Sequence, residues 1–413
     1  MSITHYPELV YVENNVIGTQ TNSVYDAFGR LRVSNPLTLF DSDNVLSKNN
    51  LFSEALTGSG TVSYTANKST VNLNVTTASG DKVIRQSKRV MSYQPGKSLL
   101  NLNTFVMNTQ TANLEQRVGM FDANNGIFFE DTGTGYQFVR RSYTSGSSVD
   151  VSVAQSSWNI DKLDGTGESG YTLDPTKATI MFMDFEWLGM GSVRCGFVID
   201  GKFIVAHKFL NANNLDTVYM QTANLPIRYE IETTGSIGST AVLQQVCSTT
   251  MIEGGYAPQA VQKIIRTADI SSGVTLTSAN TFYNLATIRI KANRPYAVIV
   301  PAGTDILNIS NVDYEFGLFV NTTPSTSFSW TSFDDNVEYD LTTTQLTGLG
   351  TQVACGYLGG KTAPSALGGA DFINFDYQIG QSIAGVSDTL TLAARAGSPS
   401  SKAAAQLKWI DLT

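Results

Sequence analysis

The chain has 413 residues, of which 42% are hydrophobic and only 15% charged, against the roughly 25% charged usage of an average soluble domain. That length suits two or three domains, each able to bury a core. A net charge of -8 and a pI near 4.9 count against wrapping nucleic acid, which needs a basic stripe to displace counterions.

The densest basic stretch, Lys82 to Lys97 with Arg85, Lys88 and Arg89, alternates with Val83, Ile84 and Val90 and reads as the solvated face of a strand. Cys195, Cys247 and Cys355 are odd in number and far apart, which gives neither a disulfide framework nor a zinc site. A reducing cytoplasm is the expected place of assembly. The N-terminus lacks the pattern of a secretory signal, and no apolar run approaches the roughly 20 residues needed to cross a bilayer, so no membrane insertion is expected.

In chain order, residues 1–45 are mixed and turn-rich around Tyr25, Asp26, Phe28, Arg30 and Arg32. They read as an extended arm that packs on a neighbouring domain or subunit. From residue 46 a two-residue period dominates. Val71–Val75 and Leu99–Val106 alternate cleanly, and Ile180–Phe185, Val193–Ile199 and Phe203–His207 read as successive strands. Asp200-Gly201 between the last two is a hairpin signal, because both residues tolerate positive φ. Residues 46–256 are therefore expected to form a large antiparallel β-sandwich of the jelly-roll or lectin-like kind.

Glu253-Gly254-Gly255-Tyr256-Ala257-Pro258 interrupts strand pairing and marks a boundary. Beyond it, Thr287–Ile290, Tyr296–Val300, Glu315–Val320 and Leu390–Ala394 predict a second, smaller sandwich over 257–413. Ala302-Gly303-Thr304 and Gly359-Gly360-Lys361 are expected turns between its strands. The fold class is all-β, without the fixed period of a solenoid or propeller.

Candidate chemistry is sparse. The two histidines are His5 and His207, and no GxSxG elbow accompanies them, so His207 reads as structural. Asp184 and Glu186 share one face of a predicted strand, Met183–Trp187, with Cβ atoms about 7 Å apart, a spacing that a carboxylate pair acting on a glycan could use. A solvated sheet face gives the same alternation and is the preferred reading. The loop Asn159–Glu168 gathers oxygen ligands but breaks the calcium-loop spacing; a polar turn with Asx-type bonds is expected. Gly58-Ser59-Gly60 and Gly165-Thr166-Gly167 are turns. Trp158 and Trp187, with Tyr136 and Tyr143, could stack on sugars or fill a core. No metal or cofactor is expected.

The strings Asp26–Pro36 (DAFGRLRVSNP), Thr38–Ser42, Arg117–Asp122 with Asn125-Gly126, Trp158–Asp161, Phe185–Gly189 and Glu253–Tyr256 resemble a family of tailed-bacteriophage virion structural proteins. The likeness spans roughly residues 20 to 260. Such proteins are tail, fibre, baseplate or capsid-associated components of phages of marine and freshwater bacteria. The resemblance implies a non-enzymatic role in the virion, with copies of the chain and other virion proteins as partners, and transfers no active site. A homo-oligomeric tail, fibre or baseplate protein is the leading expectation. A capsid decoration protein is the alternative, as is an adhesin touching host surface glycan through Trp158, Trp187, Asp184 and Glu186.

Overall fold

The computed structural model describes Asp26, Gly29, residues 35–255, 260–267 and 273–360, the backbone of 365–367, and 377–413. Among these the regular structure is strand, apart from two short 3-10 turns. No helix there is long and apolar enough to cross a membrane. The chain divides into two units, 1–87 with 91–257, and 88–90 with 258–413.

The first unit contains β1 Leu37–Ser42, β2 Phe52–Thr57, β3 Thr61–Thr65, β4 Thr70–Val75, β5 Lys82–Ser87, β6 Leu99–Val106, β7 Leu114–Phe121 and β8 Gly126–Asp131. It continues with β9 Tyr136–Ser142, β10 Val149–Ala154, β11 Thr179–Phe185, β12 Val193–Ile199, β13 Lys202–Phe209, β14 Ile227–Thr233 and β15 Ala241–Ile252. An eight-stranded sheet runs β13-β12-β11-β6-β15-β4-β3, with β1 also on β15; a seven-stranded sheet runs β10-β9-β8-β7-β14-β5-β2. Every pairing between these strands is antiparallel.

One apolar core lies between the two sheets. Val71, Leu73, Met181, Met183 and Leu243 enter it from one side, and Val83, Val118, Phe129, Tyr229 and Ile231 from the other. Alternation along each strand sends these residues inward. This is the large jelly-roll or lectin-like sandwich that the two-residue period predicts. At Asp200-Gly201, φ angles of 49° and 74° and the register Ile199↔Lys202 give the expected tight hairpin.

The second unit contains β16 Gln262–Arg266, β17 Val274–Leu276, β18 Tyr283–Ile290, β19 Ile299–Asn308, β20 Tyr314–Val320, β21 Thr323–Pro324 and β22 Thr331–Ser332. It ends with β23 Val337–Asp340, β24 Leu346–Gly348, β25 Thr351–Leu358, β26 Ser365–Leu367, β27 Thr389–Ala396 and β28 Ser401–Asp411. A five-stranded sheet, β16-β28-β19-β26 with β17 on β28, faces a six-stranded sheet, β22-β23-β18-β27-β20-β25. Ile299, Ile306, Leu407 and Trp409 from the first meet Leu285, Ile288, Phe316, Leu318 and Leu392 from the second in one core. The second sandwich is thus present.

Four expectations need revision. Leu37–Ser42, inside the expected arm of residues 1–45, pairs with β15 and brings Phe40 into the core; alternating burial makes it a sheet strand. Lys88–Val90 belongs with the second unit, where Val90 packs with Val298 and Val300 and the Lys88 carbonyl accepts from Gln381 N. Ala302-Gly303-Thr304 is not a turn: β19 runs through it with a register shift between Pro301 and Gly303, a bulge that absorbs one extra residue without ending the strand. Tyr296 precedes β19, which begins at Ile299.

Candidate functional site

The expected glycan residues come from the end of β11 and from the loop after β10. β11 stops at Phe185, so Glu186 lies beyond the strand, before the turn at Leu188 and Gly189, whose φ angles are 37° and 78°. Asp184 is 2% exposed and Glu186 1%, which removes the solvated-face reading. The Asp184 carboxylate accepts hydrogen bonds from Ser98 Oγ and from the Arg194 guanidinium on the neighbouring strand. A general acid or nucleophile must reach the reacting bond, whereas this carboxylate is buried and held by a cation and a hydroxyl.

The two tryptophans do not form an open platform. Trp158 is 3% exposed, stacks among Phe129, Phe138 and Phe197, and donates from Nε1 to the Val153 carbonyl at 3.1 Å. It is a core residue, and the glycan role expected for it is withdrawn. Trp187 is half-buried, donates to Met220 O at 3.1 Å and meets Tyr93 edge to face at 6.2 Å. Tyr136 packs on Phe129 at 5.6 Å. The structure brings Asp184, Glu186 and Trp187 together and leaves Trp158 in the core. Of the expected arm residues, Asp26 is buried and its carbonyl accepts from Gly29 N at 2.9 Å. Tyr25, Phe28, Arg30 and Arg32 lie outside the described residues.

In the Asn159–Glu168 loop, Asp161 Oδ1 and Oδ2 accept from Leu163 N and Ser169 N, both at 2.8 Å. Asp164 Oδ1 accepts from Thr166 N at 2.9 Å. The bonds to Leu163 and Thr166, each two residues on, are the Asx-type bonds expected of a polar turn, and the bond to Ser169 closes the loop. His207 is 6% exposed, sits opposite Cys195 in the β12–β13 register and meets Phe209 edge to face at 4.6 Å. Its Nδ1 has no partner among the described residues. Burial pushes its pKa down to about 4, and burial pushes the Cys195 thiol up. Both stay neutral at pH 7, as core residues.

Two charged features escaped sequence reasoning. Arg85, read as solvent-facing, is fully buried. Its Nε donates to Gln245 Oε1 at 2.6 Å, Nη1 to Glu54 at 2.5 Å and Nη2 to the Asn49 carbonyl at 2.8 Å. Burial pulls its pKa below the ordinary arginine value, with Glu54 opposing. The second is a ladder on the outer face of the seven-stranded sheet. Arg117 contacts Glu130 at 2.5 Å, Glu230 at 2.7 Å and also Glu115, while Lys82 reaches Glu230 at 2.9 Å and Arg228 pairs with Glu230. Burial alone would raise the Glu230 pKa; Arg228, Arg117 and Lys82 outweigh it and pull the value down to about 2.

Part-exposed aromatic rings gather in the second unit. Arg289 lies 4.0 Å over the Trp330 ring and donates to Glu338 at 2.5 Å. Phe328 meets Trp330 at 5.4 Å, while Phe333, 38% exposed, packs instead on Tyr339 and Trp409. The string Phe328-Ser329-Trp330-Thr331-Ser332-Phe333 could have signalled this group, since aromatics alternate there with hydroxyls.

The strand edges are treated unequally. Ile160 N and Asp161 N cover β13 by donating to Ala206 O, both at 3.1 Å, while Asn159 bonds both backbone groups of Lys208. β10 and β25 each end a sheet. Val149 and Val151 on β10 are 48% and 42% exposed, and Val353 and Tyr357 on β25 are 39% and 75% exposed.

No family model matches the chain, and no curated protein does. Among solved structures, a protein of unknown function from Shewanella oneidensis MR-1 aligns at 12% identity and TM-score 0.33, covering 60% of this chain and 96% of its own. A Bacillus licheniformis β-glucanase aligns at 12% identity and TM-score 0.31, covering 53% and 98%. Arcelin-5, a lectin-like defence protein from Phaseolus vulgaris, aligns at 8% identity and TM-score 0.32, covering 53% and 98%. At these scores none transfers chemistry.

Proposed function

We propose that this chain is a non-enzymatic structural component of a tailed-phage particle, a homo-oligomeric tail, fibre or baseplate protein that works through protein–protein contacts. The observation that carries the assembly part is the β25 edge, which among the described residues has no strand on its outer side, carries no charge and presents exposed apolar side chains; β10 also ends a sheet with exposed valines but carries Asp150, paired with Arg141. Natural sheets normally cover or charge such edges, because free backbone groups there recruit another strand. The place on a phage particle rests on the resemblance of residues 20–260.

Quantitative mass spectrometry of washed particles tests this reading. The chain is expected in the particle at low copy number. Copy numbers on the order of hundreds per particle would move it to capsid decoration, and its absence from particles would overturn the assignment.

A second reading, a glycan-contacting adhesin, is favoured by the Phe328–Trp330 pair beside the Arg289–Glu338 pair. Aromatic faces with flanking polar donors suit sugar rings. Binding to host glycans that Trp330→Ala abolishes would support it, and no binding by the unsubstituted chain would remove it.

A further inference from the structure

We propose that β25 is the edge through which two copies of this chain pair, antiparallel across a two-fold axis, joining their six-stranded sheets into one. This rests on the assembly reading above and names its surface and its partner.

Among the described residues β25 pairs with β20 alone, at the end of the sheet. Its eight residues, Thr351-Gln352-Val353-Ala354-Cys355-Gly356-Tyr357-Leu358, contain no charge and no proline. Charge and proline are two of the devices that stop an edge from pairing; a bulge is a third, and β25 has one at Val353. By contrast β16, at an end of the five-stranded sheet, carries Lys263 and Arg266. Ala354 and Leu358 pack against the core, which leaves alternate residues Cys355 and Tyr357 on the exposed outer face. The strand is seated firmly on β20: a Cβ at Gly356 would come within 2.5 Å of the Phe316 ring.

The absence of charge selects a second copy as the partner. A chain of net charge -8 repels itself in general, and a two-fold contact sets each patch against its own copy. A charged edge would therefore meet its own charge, whereas β25 has none to oppose. An axis at Cys355 sets Val353 against Tyr357 of the second copy and Cys355 against its own equivalent. Val353, at the bulge where the β20 register shifts between Leu318 and Phe319, is 39% exposed. Opposed Cα atoms in an antiparallel pair lie about 4.5 or 5.5 Å apart, within the reach of a disulfide. An eight-residue strand pair alone falls short of the roughly 1,600 Å² of a standard interface, so the pairing is concentration-dependent.

The test treats the full chain with diamide over a concentration series; diamide takes up the two protons and two electrons that two thiols lose in forming a disulfide. The expected product is a Cys355–Cys355 dimer, identified by peptide mapping and absent from Cys355→Ser. Val353→Lys with Tyr357→Lys sets lysine against lysine in this register and lowers the yield by about tenfold or more. Val353→Asp with Tyr357→Lys sets opposite charges together and restores it. Circular dichroism confirms that each variant is folded.

No Cys355-linked dimer, from protein whose Cys355 reacts freely with iodoacetamide, overturns the proposal, as do equal yields from the two charge variants. If light scattering then still finds multimers, the assembly reading stands and this surface is wrong. Monomers at every concentration overturn both.

Discussion

Protonating His207 is expected to unlock the first sandwich, and the size of the effect follows from its burial. The imidazole is 6% exposed, packed on Phe209, with its pKa pushed from the ordinary 6.5 down to about 4. The fold therefore favours the neutral ring, while the unfolded chain takes up a proton at the ordinary value. The stability this group contributes is complete above pH 6.5 and is lost as pH falls through 4. A displacement of that size corresponds to about 3 kcal/mol. His207→Leu keeps an apolar body at the site and removes the titration. Urea unfolding at pH 7, 5 and 4, followed through the transition of the first unit, should show the unsubstituted protein losing about 3 kcal/mol more than the variant over this range. Equal losses in both proteins would falsify the assignment of a buried neutral ring.

Glu230→Gln should destabilise the first unit by about 3 kcal/mol or more at pH 7, because it leaves Arg117, Arg228 and Lys82 without their shared carboxylate. The depressed Glu230 pKa places its own pH dependence lower than that of His207. The stability it contributes is present above pH 4.5 and lost as pH falls towards 2, so acid titration of unfolding should show a separate step that the glutamine variant lacks. Arg85→Met, which takes the donor from buried Gln245 and from the Asn49 carbonyl and leaves Glu54 with Lys48, should cost about 1–3 kcal/mol by chemical denaturation; a cost near zero would mean that water reaches these groups. Asp184→Asn should weaken the pairing with Arg194 and lower the thermal midpoint, with host polysaccharide left uncut by either protein.

Much of the architecture was legible because a sandwich strand repeats its environment every second residue. Val71 and Leu73 point inward while Asn72 and Asn74 between them stay half-exposed, and Asp200-Gly201 could join its strands in one way only. The Gly303 bulge was not legible, since glycine between small residues serves equally as a turn or as an inserted residue. Arg85 shows how residue type can override pattern wrongly. It is in step with Val83, whose side chain is fully buried, and the period alone would have sent it inward.

The candidate site was the least legible part. Trp158 and Trp187 have the same sequence cues whether they bind sugar or fill a core, because the same ring supplies both surfaces. Asp184 looked exposed because carboxylates usually are, and its cationic partner Arg194 lies on a different strand. The edges could be seen only once the sheet order was known. Of two strands that end sheets in the first unit, β13 is covered by the 159–161 loop and β10 presents exposed valines.

Light scattering of the purified full chain over a concentration series, beside Val151→Lys and Tyr357→Lys variants, tests most directly whether uncovered edges drive assembly. Masses should rise to multiples of the chain with concentration, and the charge variants should shift this rise to higher concentration. A single-chain mass at every concentration, or multimers indifferent to both lysines, would contradict it.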